Sequence, residues 1–340
     1  MAIKVLQDIH LLRKVESGKG LFAVEQISLV YNLLTTVVIL FLFQRMEHPV
    51  RMLEERLLIA SVTFLLVYVY RLHPCKASAF LRIVFQMSLL SYWYPDTFEF
   101  NRLAPNLDYL FASAEQWLFN GQPSVNFSHR FPSIWISEPL NLGYFFYYPM
   151  IILVGMYYFL FRYDLFAKIA FVLVGCFFVY YIIYIIIPCA GPQFYFPVIG
   201  EWNVEHGIFP PIGNYFDRNS QVLLMPEYNR GVFYNLVKLS QQVGERPTAA
   251  FPSSHVGIST ILMIMAWRAN RHRHRLFFFL LPFYVLLCTA TVYIQAHYLI
   301  DSLVGFLSAI PLYIVVTRIY KRWYVRERTD FAVKFSSTDI

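Results

Sequence analysis

Two short segments of this chain carry residues whose types and spacing suit phosphoryl transfer. Ala296-His297-Tyr298-Leu299-Ile300-Asp301 separates the apolar runs 276–296 and 299–317. His297 and Asp301 lie four positions apart, so on a helix they share one face. A carboxylate that accepts a hydrogen bond from one imidazole nitrogen fixes the tautomer and leaves the other nitrogen free to attack. Charge at the mouth of an apolar bundle is costly and points to function. A purely structural His–Asp bond between helices would use the same two residues. The second segment, Pro252-Ser253-Ser254-His255, opens the apolar run 254–267. Proline followed by serines is a helix-start signal. A helix N-terminus offers free N–H groups and a positive dipole end to an anion such as phosphate. Ser253, Ser254 and His255 would meet that anion; the plainer alternative is an ordinary cap with an interfacial histidine.

The elements that must position these residues are membrane helices. Of 340 residues, 58% are hydrophobic and 14% charged, against about a quarter charged in soluble domains. Apolar runs fall near 26–43, 57–70, 80–94, 145–161, 165–187, 254–267, 276–296 and 299–317, which predicts about eight spans. The net charge of +7 is read as Lys and Arg anchoring topology, not as nucleic-acid binding. Arg268, Arg271, Arg273 and Arg275 mark a cytoplasmic loop, and Lys321, Arg322, Arg326 and Arg328 a cytoplasmic tail. Alternation then puts the long loops 95–144 and 188–253 outside. Loop 44–56, with Arg45, Arg51 and Arg56, fits that scheme poorly. Within the long loops, Ala112–Phe119 predicts an interfacial helix and Gly231–Val243 a further helix. The polar start, with Lys4, Arg13, Lys14 and Lys19, is unlike a cleaved signal, so the first run is expected to stay as an anchor. Cys75, Cys176, Cys189 and Cys288 show no C-x-x-C spacing, and three of them read as apolar fillers. One run descending from His255 and the next returning to His297 bring both histidines and Asp301 to the same outer face.

The pattern P-S-x-H, a helical hairpin, then H-x-x-x-D resembles the type-2 phosphatidic acid phosphatase superfamily of lipid phosphate phosphatases. That resemblance implies an all-α integral membrane protein with a six-helix core over 80–317, an N-terminal segment 1–79 with about two further spans, and a cytoplasmic tail 318–340. It implies His297 as nucleophile, Asp301 as its orienting group and His255 as the acid that protonates the leaving alcohol. It implies no metal and no cofactor, and membrane lipids as substrates; oligomeric state stays open. Two family elements are missing. The Ser-Arg pair before the nucleophile is replaced by Ala290 and Thr291, and the third core helix ends in Pro188-Cys189-Ala190-Gly191-Pro192-Gln193 without a cation. Ala250-Phe251-Pro252-Ser253-Ser254-His255 and the Gly-Pro element resemble the inositol-phosphorylceramide-synthase-like branch. A phosphoryl group needs cations to hold its charge. Arg246, ahead of Pro247, is the first candidate; Lys238 and Arg230 follow. Water as acceptor gives a phosphatase, and a lipid alcohol gives a phosphotransferase. A proton-relay transporter and an inactive scaffold are the remaining alternatives.

Overall fold

The computed structural model describes residues 20–217, 219, 230–269 and 274–323. The N-terminal basic residues, Arg271, Arg273, Arg326 and Arg328 lie outside that set. Among the described residues the chain is helical, with no strand. It divides into two compact units. One comprises Met1–Leu90, Gly155–Gly175 and Ile314–Ile340; the other comprises Ser91–Val154 and Cys176–Tyr313.

The first unit contains α1 (Ala23–Phe41), α2 (Pro49–Leu72) and α3 (Lys76–Ser88), which pack against one another. Its interior carries charge. Arg82 and Glu25 are both fully buried and form a two-pronged pair, Nε to Oε1 at 2.7 Å and a terminal nitrogen to Oε2 at 2.5 Å. The guanidinium lies 3.7 Å from the centroid of Phe22 and 4.7 Å from that of Tyr70. Arg56 is also buried, with Nε on the Thr35 hydroxyl. It belongs to α2, and the non-α-helical segment between α1 and α2 is only 42–48. Arg56 is therefore an enclosed helix residue and not a loop charge, hydrogen-bonded to Thr35 and to the Met52 carbonyl.

The second unit begins with α4 (Leu90–Asn101), α5 (Asp108–Phe119), α6 (Pro123–Arg130) and α7 (Ile134–Phe145). The segment expected as loop 95–144 is thus largely helical, and the run 80–94 is split between α3 and α4. There follow α8 (Tyr147–Phe161), α9 (Tyr163–Ile186), α10 (Pro192–Ile199), α11 (Glu201–Glu205), α12 (Val232–Gly244), α13 (Ser254–Ala269), α14 (Arg275–Tyr293) and α15 (Leu299–Trp323), of which α8, α9 and α15 are divided between the two units. Within this unit α7 packs on α14 and α12, and α13 packs on α14. The N-terminus of α13 sits tightly on α15: a side chain at Gly305 would strike the Ser253 carbonyl oxygen.

Four described helices, α1, α9, α14 and α15, are long and apolar enough to cross a membrane, or up to five if α7 and α8, bent by 42°, form one span. The expected eight are not all reached, for physical reasons. The run 57–70 lies on a helix that starts with Arg51, Glu54, Glu55 and Arg56, and α13 has 16 residues.

Candidate active site

The start of α13 is held by its own capping groups. The Ser253 hydroxyl accepts the Val256 N–H at 3.3 Å, and the Ser253 N–H donates to the Asp301 carbonyl at 3.0 Å. The Ser254 N–H donates to the Tyr184 hydroxyl at 3.0 Å, which itself donates to the Pro252 carbonyl at 3.0 Å. Both serines are buried in these roles and do not line the cavity described below. The Ser253 hydroxyl is engaged in capping its own helix, and the Ser254 backbone N–H is engaged by Tyr184. One residue on, His255 is stacked on Tyr144 (centroids 4.7 Å, 24°) and tilted against Tyr147 (4.6 Å, 45°).

His297 arrives from the other side. It precedes α15, so it does not share a helical face with Asp301 in the way the spacing suggested. Its Nδ1 lies 2.8 Å from the Ala250 carbonyl oxygen, while Asp301 Oδ2 is 3.7 Å away and accepts the Tyr298 N–H at 2.9 Å. The tautomer is therefore set by the Ala250 carbonyl, which can only accept, with the Asp301 carboxyl group behind it. The outcome for the reacting atom is unchanged. Nδ1 carries the proton, and the Nε2 lone pair points to His255 Nδ1 at 3.3 Å. Burial pushes the His297 pKa down to about 4, against the opposing pull of the Ala250 bond and the charge of Glu245. At neutral pH this imidazole is an uncharged base.

Both histidines line one small cavity. Arg246 also lines it, with a terminal nitrogen donating to the Glu245 carbonyl at 3.2 Å. Lys238 and Arg230 are exposed and do not line it. Three further lining residues escaped the sequence reading. Glu245 accepts from the Tyr144 hydroxyl at 3.0 Å and from the Gln193 amide at 2.9 Å. Burial raises its pKa, offset in part by those two donors. Gln193 in turn accepts from Gln241 at 3.2 Å. Thr248 is buried and its hydroxyl has no partner among the described residues.

A buried carboxylate on α5 ties the surrounding segments together. Asp108 accepts the N–H groups of Ala190 (2.6 Å) and Gly191 (2.8 Å), the Asn106 amide (2.5 Å) and the Tyr298 hydroxyl (3.0 Å). Gly191 sits at φ +94° with the Ala296 carbonyl against it, a place no side chain fits. The Cys189 carbonyl accepts the Ala250 N–H at 3.0 Å. Asp108 thus braces both the backbone that holds Ala250 and Tyr298, the residue after His297. Nearby, Glu115 accepts the Ile300 N–H at 3.1 Å at the start of α15, and burial lifts its pKa to about 7. Nothing in the local sequence marks Asp108 or Glu115; only the fold brings them here.

Two histidines with one free lone pair between them, a single lining arginine and a helix start braced around them suit transfer of a phosphoryl group. Residues 108–315 match the PAP2 superfamily. The chain belongs to that superfamily. No curated protein and no solved structure matches it. The PAP2 match begins at Asp108 and ends within α15, so it takes in His255, His297, Asp301, Glu245 and Arg246. PAP2 membership carries phosphatase or phosphotransferase chemistry, and the long apolar helices fit an integral membrane protein.

Proposed function

We propose that this PAP2 protein hydrolyses a phosphate ester of a membrane lipid through a phosphohistidine on His297, without a metal. The observation that carries the reading is the His297 geometry: Nδ1 on the Ala250 carbonyl at 2.8 Å and Nε2 facing His255. In the first step Nε2 bonds to phosphorus, the ester P–O bond breaks, and His255, neutral in the empty site and protonated once the negatively charged phosphate lies beside it, gives that proton to the departing alcohol. The nucleophile becomes positively charged as it bonds, and the Asp301 carboxylate 3.7 Å behind Nδ1 steadies that charge. Arg246 holds the phosphoryl oxygens. Water then attacks phosphorus, the P–N bond breaks, and His255 takes the water proton. A site on the periplasmic side of a bacterial inner membrane, within a catalytic core at 80–317, completes the proposal.

A second reading, transfer to a lipid alcohol as in the inositol-phosphorylceramide-synthase-like branch, is favoured by one feature. Thr291, where the family arginine would begin, is buried with its hydroxyl on Cys288 and Ser302, so that helix supplies no cation. Purified protein given ³²P-labelled phospholipids separates the two. Labelled inorganic phosphate supports the hydrolase, and a new labelled lipid supports the transferase. Equal turnover by wild type and His297→Ala would reject both.

A further inference from the structure

The phosphohistidine reading leaves one lining carboxylate without a task. A carboxylate beside a phosphoryl site is unfavourable unless it faces something that donates a hydrogen bond or carries positive charge. Arg246 does not neutralise it: the contact between the two residues runs from the guanidinium to the Glu245 backbone carbonyl. Instead Glu245 is held by neutral donors, the Tyr144 hydroxyl and the Gln193 amide, the latter anchored by Gln241. The ring of Tyr144 is the one stacked on His255. Carboxylate and acid–base histidine are therefore oriented by one side chain and open on one cavity. The partnerless, buried hydroxyl of Thr248 in the same wall points independently to a small polar guest there.

We infer that Glu245 orients the water that cleaves the phosphohistidine, and so favours water over an alcohol as acceptor. The inference rests on the phosphohistidine reading. In the second step the water oxygen bonds to phosphorus and the P–Nε2 bond breaks, returning the electron pair to His297. A water has two hydrogens. One proton passes to His255, which gave up its own in the first step; the other stays on the new phosphate oxygen, and Glu245 accepts a hydrogen bond from it during attack. Two acceptors set the lone pair in line with the P–N bond. An alcohol has a single hydrogen, which His255 satisfies, so its carbon substituent must occupy the space beside Glu245. The carboxylate thereby aids water and hinders the alcohol.

The test is a partition ratio, which is set after the common intermediate and does not depend on how much protein folds or how fast it forms. Wild type, Glu245→Gln and Glu245→Leu are given a ³²P-labelled lipid phosphate with 1 M glycerol, and inorganic phosphate is compared with glycerol phosphate. Loss of a hydrogen bond to a charged group predicts that the phosphate-to-glycerol-phosphate ratio falls about tenfold in Glu245→Leu. A smaller fall is expected in Glu245→Gln, which keeps one acceptor oxygen. Gln193→Leu, which frees the carboxylate from its amide, should shift the ratio in the same direction. An unchanged ratio in both Glu245 variants overturns the inference while leaving the phosphohistidine intact. Absence of both products from wild type overturns the phosphohistidine reading and the inference with it.

Discussion

The two units of this protein bury charge in opposite ways. In the first, Arg82 meets Glu25 through two short bonds and rests on Phe22 and Tyr70. Each charge there answers the other, as a buried ion must be answered if the fold is to keep it. In the second, Asp301 is buried with one oxygen on a backbone N–H and the other without a partner among the described residues, and Glu115 repeats the arrangement. Among the described residues no cation neutralises either group through an ion pair shorter than 4 Å; His297, 3.7 Å from Asp301, is neutral at pH 7. Paired burial holds helices together. A buried carboxyl group without an ion-pair partner, beside a neutral imidazole, can stabilise that imidazole if a reaction makes it positive.

Substitutions on the two sides should therefore separate activity from stability. The largest effect expected is at His297: His297→Ala leaves no turnover, measured as phosphate release. Asp301→Asn should lower kcat by about 10²-fold or more, with Tm little changed, since the amide keeps an acceptor for the Tyr298 N–H. A fall in Tm of the same order as that of an ion-pair variant would make Asp301 structural instead. Glu25→Gln should do the reverse, removing about 3–5 kcal/mol of stability while the folded fraction retains wild-type kcat. Replacing both partners, Glu25→Leu with Arg82→Met, should recover much of that loss. Smallest is the effect at Glu115. Its pKa in the folded protein, about 7, lies above the usual carboxylate value of 4.5, so folding binds a proton between those limits. Its contribution to stability is full below about 4.5 and is lost as pH rises to about 7. Glu115→Gln, permanently neutral, should gain in Tm relative to wild type as pH rises through that window.

Local signals in the sequence were legible and non-local ones were not. Pro252-Ser253-Ser254 announced a helix start because capping is settled within one turn, and α13 begins at Ser254. A hairpin bringing His255 to His297 followed from counting residues along two apolar runs. The Ala250 carbonyl, by contrast, reaches His297 across 47 positions, and Glu245 reaches Tyr144 across 101. A backbone oxygen has no identity in a sequence, and a lone Glu beside an Arg reads as a solvated pair. Arg56 failed for the related reason that a charge near a helix start reads as loop, although here it is enclosed by α1 and its own helix. Apolar runs and helices differ in extent where a run is broken, as at Leu89 between α3 and α4.

The central claim is that His297 Nε2 bonds to phosphorus, and it is most directly tested by trapping that bond. Wild type mixed briefly with a ³²P-labelled lipid phosphate and quenched in alkali should retain label on the protein. The label should survive base, be released by mild acid as an N–P bond is, and be absent from His297→Ala. Label that persists in His297→Ala, or wild-type turnover with no label on the protein under any quench, would contradict it.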